Sequence, residues 1–250
     1  MSARPTEGAS ASAPNSDSTA SSRAPPEGSL GVAALLSLSG GFLDAFTYVG
    51  HGQVFANAMT GNIVLLGVYT ATGDWLRAFN HIPPIIAFLA GVFAARLLRR
   101  YGARREPRSV ALLCLTVEIL TLGGLAFLPD SYPDIWIVLT ISFVAALQNS
   151  SFTRVQDWTY NSVMTTGNLR RFAEGLFDGF VPARDSGALK QARIFGAICL
   201  SFLVGACLGG VSSRWLGNAA LLVAVVVLAA ILLHCLGFSG ARFRQPVNKE

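Results

Sequence analysis

Residues 216–236 read LGNAALLVAVVVLAAILLHCL and contain no Asp, Glu, Lys or Arg. A helix needs about 20 largely apolar residues to cross the roughly 30 Å hydrocarbon core of a bilayer, and this stretch meets that need alone. The rest of the chain has the same character. Of its 250 residues 52% are hydrophobic and only 13% charged, and its mean hydropathy is +0.50. A soluble domain carries about 25% charged residues. Half that density over long uncharged runs places the chain in the membrane class.

Five further runs have spanning length: Leu30 to Gly50, Ile82 to Leu98, Val110 to Leu128, Ile135 to Thr153 and Ile194 to Ser213. The fold predicted is an all-α integral membrane protein of about six transmembrane helices by the length rule. Pro83-Pro84 suits the first turn of the second helix. Two other segments are ambiguous. Phe55 to Gly73 is apolar enough to cross but opens on Asn57, Thr60, Gly61 and Asn62, and Tyr160 to Phe180 carries Arg170, Arg171, Glu174 and Asp178. A re-entrant or interior half-helix accommodates such residues better than a lipid-facing span.

Those two segments define an internal repeat. Thr60-Gly61-Asn62 returns as Thr166-Gly167-Asn168, an offset of 166 − 60 = 106, and Phe46-Thr47 matches Phe152-Thr153 in the same register. The repeat halves run over about 30–128 and 135–236. Duplicated halves are common among secondary transporters. Arg99, Arg100, Arg104, Arg105 and Arg108 crowd one connection, whereas Pro129 to Asp134 holds no Lys or Arg. The positive-inside rule then puts the former in the cytoplasm. Six spans leave both termini cytoplasmic and the halves inverted; full crossing by both Thr-Gly-Asn segments would give eight spans and parallel halves.

The domain organisation expected is a single transmembrane domain over 30–238 between two tails. Residues 1–29, rich in Ser, Ala, Pro and Gly, bury too little surface to offset ordering entropy and are expected to be disordered. Residues 239–250 form a basic cytoplasmic tail. The net charge of +5 sits between apolar runs, so it reads as orientation signal and not as a nucleic-acid surface. Cys114, Cys199, Cys207 and Cys235 fall inside apolar stretches without metal-ligand spacing. No P-loop, His-Glu-x-x-His or Gly-x-Gly-x-x-Gly occurs, so no enzyme, cofactor or metal reading is favoured. Trp75, Trp136, Trp158 and Trp215 lie near span ends, as an interfacial belt requires.

The strings Gly41-Phe42-Leu43-Asp44-Ala45 and Val54-Phe55-Ala56-Asn57-Ala58-Met59-Thr60-Gly61-Asn62 resemble the YoaK-like family of bacterial membrane proteins. Leu147-Gln148-Asn149 and Met164-Thr165-Thr166-Gly167-Asn168 carry the same resemblance, which extends over roughly residues 30 to 238. It implies a polytopic membrane protein and brings no established substrate or reaction. The second copy has an extra Thr, leaving open which hydroxyl caps the helix.

Candidate site residues follow from chemistry. Asp44 lies beside a small-residue face (Ala33, Ser37, Gly41, Ala45), so it points into the bundle. It is read as a proton- or ion-coupling carboxylate or a solute ligand, or else as a structural ion pair or cap. Glu118 sits mid-span beside Ala111, Cys114 and Thr121, and is read as a proton relay or an interhelical hydrogen bond. Thr60 and Thr166 are expected to cap their helices. Gly61 and Gly167 would let a ligand approach the backbone, where free N–H groups favour an anion or a carbonyl oxygen. Asn57, Asn62, Asn149 and Asn168 would add amide contacts. The competing reading is tight helix packing.

The function read from these features is a small-solute transporter or permease of the cell membrane, with a midplane site framed by the two Thr-Gly-Asn segments and a small polar or anionic solute as partner. The alternative is a non-transporting scaffold or partner-binding subunit. Stripes such as Ala87, Gly91 and Ala95, or Gly205 with Gly209, are packing surfaces through which oligomers are also possible.

Overall fold

The computed structural model describes residues 26–101, 107–181 and 185–242. The predicted N-terminal tail up to residue 25, the arginines 104 and 105, Arg184 and the tail from residue 243 lie outside the described residues. A 3-10 turn (Pro26–Gly28) leads into α1 (Leu30–Gly50), which Ser29 caps by accepting from the Val32 N–H at 3.2 Å. Next come α2 (Met59–Ala71), the short α3 (Trp75–Asn80), α4 (Ile82–Tyr101), α5 (Pro107–Leu125) and α6 (Asp134–Ser151). The strands β1 (Arg154–Val155) and β2 (Trp158–Thr159) pair antiparallel. Then follow α7 (Thr165–Phe180), α8 (Ser186–Leu216), a second 3-10 turn (Gly217–Ala220) and α9 (Leu221–Arg242).

Four helical stretches among the described residues are long and apolar enough to cross a membrane: Leu30–Gly50, Trp75–Tyr101, Arg108–Leu125 and Ser186–Gly237. The last holds both α8 and α9, which part at Gly217, a residue with φ +52°. Its left-handed backbone favours glycine, which stops α8 there. The helix α6 falls outside that set, since it closes on Gln148-Asn149-Ser150-Ser151. Helix ends also shift from the sequence expectation. The fifth run starts at Ser186 and not at Ile194, because Asp185 caps two turns of polar helix ahead of the apolar part. The third stops at Leu125, where tighter turns take over (Phe127 N to Gly124 O, 3.3 Å; Leu128 N to Leu125 O, 3.1 Å).

Glycines set the helix pairs. A Cβ on Gly205 would collide with the Leu38 carbonyl, one on Gly209 with the Phe42 carbonyl, and one on Gly41 with the Phe202 carbonyl. Ser213 Oγ donates to Phe46 O at 3.4 Å. The pairs 38/205, 42/209 and 46/213 advance together, so α1 and α8 run parallel at backbone contact. The same holds for α4 on α6: Gly91 abuts the Phe143 carbonyl, and Arg99 Nη1 donates to Ser150 O at 2.8 Å. The small-residue stripes Ala87, Gly91 and Ala95, and Gly205 with Gly209, are thus used as packing surfaces inside the chain. In contrast α7 runs antiparallel to α8, with Gly175 on Ala188 and Ala192, Gly179 on Leu189, and Phe172 on Gly196. A core of Leu36, Phe42, Phe46, Leu115, Ile141 and Leu228 joins α1, α5, α6 and α9.

Contacts between helix ends sort the bundle into two poles. At one, Arg108 pairs with Glu27 and donates to Cys235 O at 2.6 Å, Gln156 N donates to Gly28 O at 2.7 Å, and Arg99 meets Ser150. This arginine-rich pole gathers the start of α1 and α5 and the end of α4, α6 and α9. At the other pole His51 meets Asp134 at 2.8 Å, and Asn218 donates to Leu128 O at 3.2 Å and to the Asp130 carboxylate at 3.3 Å.

Candidate functional site

The 52–58 connection leaves α1 through a reversal at Gly52 and Gln53, both at positive φ (+77° and +58°), and folds back along it. Three successive amides are caught by α1 side chains. Thr47 Oγ1 accepts from Ala56 N at 3.1 Å, and Asp44 Oδ1 accepts from Asn57 N at 2.6 Å and Ala58 N at 3.1 Å. The helix α2 starts one residue later. A carboxylate at the entrance of a helix favours its positive end, so Asp44 supplies from another helix the cap that Thr60 was expected to supply locally. That expectation fails for both copies. The caps are Ala58 and Met164, neither with a side-chain capping bond, and Thr60 and Thr166 lie inside the first turns. The extra Thr165 likewise begins α7 without capping it.

Both asparagines turn back to the loop before their helix. Asn62 Nδ2 donates to Phe55 O at 2.8 Å while its Oδ1 accepts from Phe55 N at 2.9 Å, and Asn168 Nδ2 donates to Asn161 O at 2.7 Å. In each case the partner lies seven residues earlier. His81 Nδ1 also lies 3.3 Å from Asn62 Oδ1. The loop before α7 is held by Asn161 Oδ1, which accepts from Val163 N at 3.0 Å and Met164 N at 3.2 Å, and by Ser162 Oγ, which donates to Asn149 Oδ1 at 3.2 Å.

The two loops come together on α1. Gly40 faces Val163 so closely that a Cβ there would stand 2.6 Å from its Cγ1, and Asp44, one turn on, holds Asn57 and Ala58. Asp44 and Asn57 are each 4% exposed. Among the described residues, Asp44 Oδ2 and both side-chain atoms of Asn57 have no hydrogen-bond partner. Buried polar groups are nearly always satisfied, so these atoms mark a polar spot inside an apolar bundle. Glu118 is buried on α5, its Oε2 likewise without a partner, and no hydrogen bond or ion pair among the described residues joins it to Asp44 or to either Thr-Gly-Asn segment.

The two glycines differ. A Cβ on Gly61 would press on the Phe55 ring at 2.8 Å, whereas nothing lies within 4 Å of one on Gly167. Beside Gly167 opens a cavity of about 210 Å³ lined by Thr159, Tyr160, Asn161, Asn168 and Arg171. Burial pushes the Tyr160 phenol above its usual range, keeping it neutral.

The profile of a family described as "Protein of unknown function (DUF1275)" matches residues 32–234. The chain belongs to that family. DUF1275 membership agrees with similarity to the UPF0700 transmembrane protein YoaK of Bacillus subtilis (strain 168), at 27% identity over 146 residues. That alignment covers 57% of this chain and 65% of the relative. No solved structure matches. The family's span takes in both Thr-Gly-Asn segments together with Asp44, Glu118 and Asn149.

Sequence reading missed Thr47, Asn161, Ser162 and Arg171. The signal for the first was its place one turn after Asp44; for Asn161 it was the offset of 106 from Phe55, the matching partner in the first copy.

Proposed function

We propose that this protein is a small-solute transporter or permease of the cell membrane. It crosses six times as two inverted halves, and its solute site lies where the two Thr-Gly-Asn segments approach α1. The observation that carries this reading is the meeting of both pre-helix loops on one turn of α1, at Gly40 and Asp44, beside buried polar atoms left without partners. A protein whose only task was packing would have little use for them, since each unmade hydrogen bond costs about 1–3 kcal/mol.

Several features support the architecture. The bond from Asn62 to Phe55 and that from Asn168 to Asn161 share a seven-residue span. Parallel pairing recurs as α1 with α8 and α4 with α6, elements in exchanged positions of the two halves. Helix ends alternate between the poles along the chain, and the arginine-rich pole is the cytoplasmic one by the positive-inside rule. On this reading the 30–238 domain is a single unit and Asp44 is its coupling group, with Glu118 a second candidate.

The test is uptake and efflux in proteoliposomes of solutes that accumulate or vanish when the gene is deleted or overexpressed. Saturable flux that Asp44→Asn reduces supports the transporter. A purified, monodisperse protein that moves none of these solutes and instead retains a partner subunit supports the scaffold.

A further inference from the structure

We infer that the cavity beside the first turn of α7 is an oxyanion subsite, taking one carboxylate or phosphate group, and that the matching end of α2 is not. The inference deepens the transporter reading and rests on it for the anion's role as cargo. The two half-helices look alike in sequence, but the fold treats their ends differently. At α2 the protein's own carboxylate occupies the entrance: Asp44 Oδ1 takes the Asn57 and Ala58 amides, and Phe55 lies against Gly61. A second anion there would find the entrance amides already taken and the surface closed.

At α7 no carboxylate plays the part of Asp44: the neutral Asn149, thirteen residues before Ser162 as Asp44 is before Asn57, accepts from Ser162, and no carboxylate lines the cavity. Arg171 lines it, and among the described residues no carboxylate pairs with this arginine; Glu174 binds Arg170 instead. Its guanidinium is held in place, with Nη1 donating to Thr159 O at 2.8 Å, Nη2 to Thr159 Oγ1 at 3.3 Å, and the group 5.3 Å from the Phe195 ring centre. Two of five N–H donors are thus committed and others remain. Tyr160, a lining residue 7% exposed, has a hydroxyl without a hydrogen-bond partner among the described residues. Gly167 leaves the backbone of the first turn open. A fixed cation and an accessible helix N-terminus around about 210 Å³, in a lining that also holds Tyr160 with its buried, unpartnered hydroxyl, suit one oxyanion on a small molecule or on a lipid headgroup.

The test uses the full chain in phosphatidylcholine nanodiscs, with inorganic phosphate as probe at constant ionic strength and melting temperature as readout. A saturable rise is expected in the wild type. Its midpoint should move at least tenfold higher in Arg171→Gln and in Gly167→Val, while both variants melt like wild type without phosphate. Equal midpoints in all three proteins overturn the subsite. If only discs containing phosphatidylglycerol give the rise, and Arg171→Gln removes it, the subsite stands as a headgroup site. No rise with either probe overturns it. Solute flux without any phosphate effect removes the subsite and keeps the transporter; a phosphate effect without flux does the reverse.

Discussion

Asp44 Oδ1 lies 2.6 Å from the Asn57 amide, thirteen residues further along the chain, and so anchors the entrance of α2 to the middle of α1. Both partners are buried, which makes the bond strong and its loss costly. Asp44→Ala should therefore lower stability by about 1–3 kcal/mol, an acceptor being removed from the buried Asn57 amide and the half-buried Ala58 amide. Asp44→Asn keeps an oxygen in place and should cost less. Thermal unfolding in detergent, with hydrogen exchange at Asn57 and Ala58, separates the two. Unchanged exchange in Asp44→Ala would show that the loop is held by something else. In liposomes, a transport pH profile identical in wild type and Asp44→Asn rules out coupling through this carboxylate.

The glycine contacts between α1 and α8 give a second expectation. Gly205→Ala places a methyl group on the Leu38 carbonyl, and backbone cannot yield as a side-chain tip can. Overpacking of this kind costs typically about 1–3 kcal/mol. Gly123→Ala, with nothing within 4 Å of the new atom, should be neutral or stabilise by up to about 1 kcal/mol, since glycine is unfavourable within a helix. In one detergent Gly205→Ala should melt below wild type and Gly123→Ala at or above it. Equal melting would mean α1 and α8 are not in backbone contact.

Topology is checked by labelling single cysteines in a background where Cys114, Cys199, Cys207 and Cys235 are replaced. Ser109 and Ser131 are both exposed, one beside Arg108 and the other beside Asp130. A membrane-impermeant maleimide added to intact cells should label a cysteine at 131 and spare one at 109. The reverse pattern, or labelling of both, would defeat the inverted six-span arrangement.

Much of this bundle could be read ahead of the structure because a bilayer permits few alternatives: a long apolar run must become a helix. The positions of Leu30–Gly50 and of the helix beginning at Ile82 follow from composition alone. The start of α8 does not, because Lys190 and Arg193 end the apolar signal while Asp185 keeps the helix going. Thr60 does not reveal the cap because the group that takes the amides is not a neighbour in sequence but Asp44, brought there by a reversal at Gly52 and Gln53. The burial of Asp44 and Glu118 was legible from the small residues around them; what faces them was not, since that depends on which helices cross there.

Gly61 and Gly167 stand at the same place in the two motifs, and the fold now predicts opposite outcomes for the same substitution. At Gly61 the new side chain meets the Phe55 ring at 2.8 Å, and that ring is stacked on Tyr48 with centroids 4.8 Å apart. With the ring backed in this way, Gly61→Val should destabilise by about 1–3 kcal/mol as an overpacked site does. Asn62 holds Phe55 by two backbone bonds, so the ring has little room to withdraw, and Asn62→Ala should loosen the same loop by about 1–3 kcal/mol through lost buried hydrogen bonds. Combining Gly61→Val with Phe55→Ala should restore part of the loss, because the cavity left by the ring receives the valine. Gly167→Val has open space before it and should melt within about 0.5 kcal/mol of wild type, as substitutions clear of buried features do, while reducing solute flux. Measuring melting and flux on the same four purified samples settles the matter. If Gly167→Val retains full flux, the second motif is packing and the solute site must be sought nearer Asp44 and Asn57.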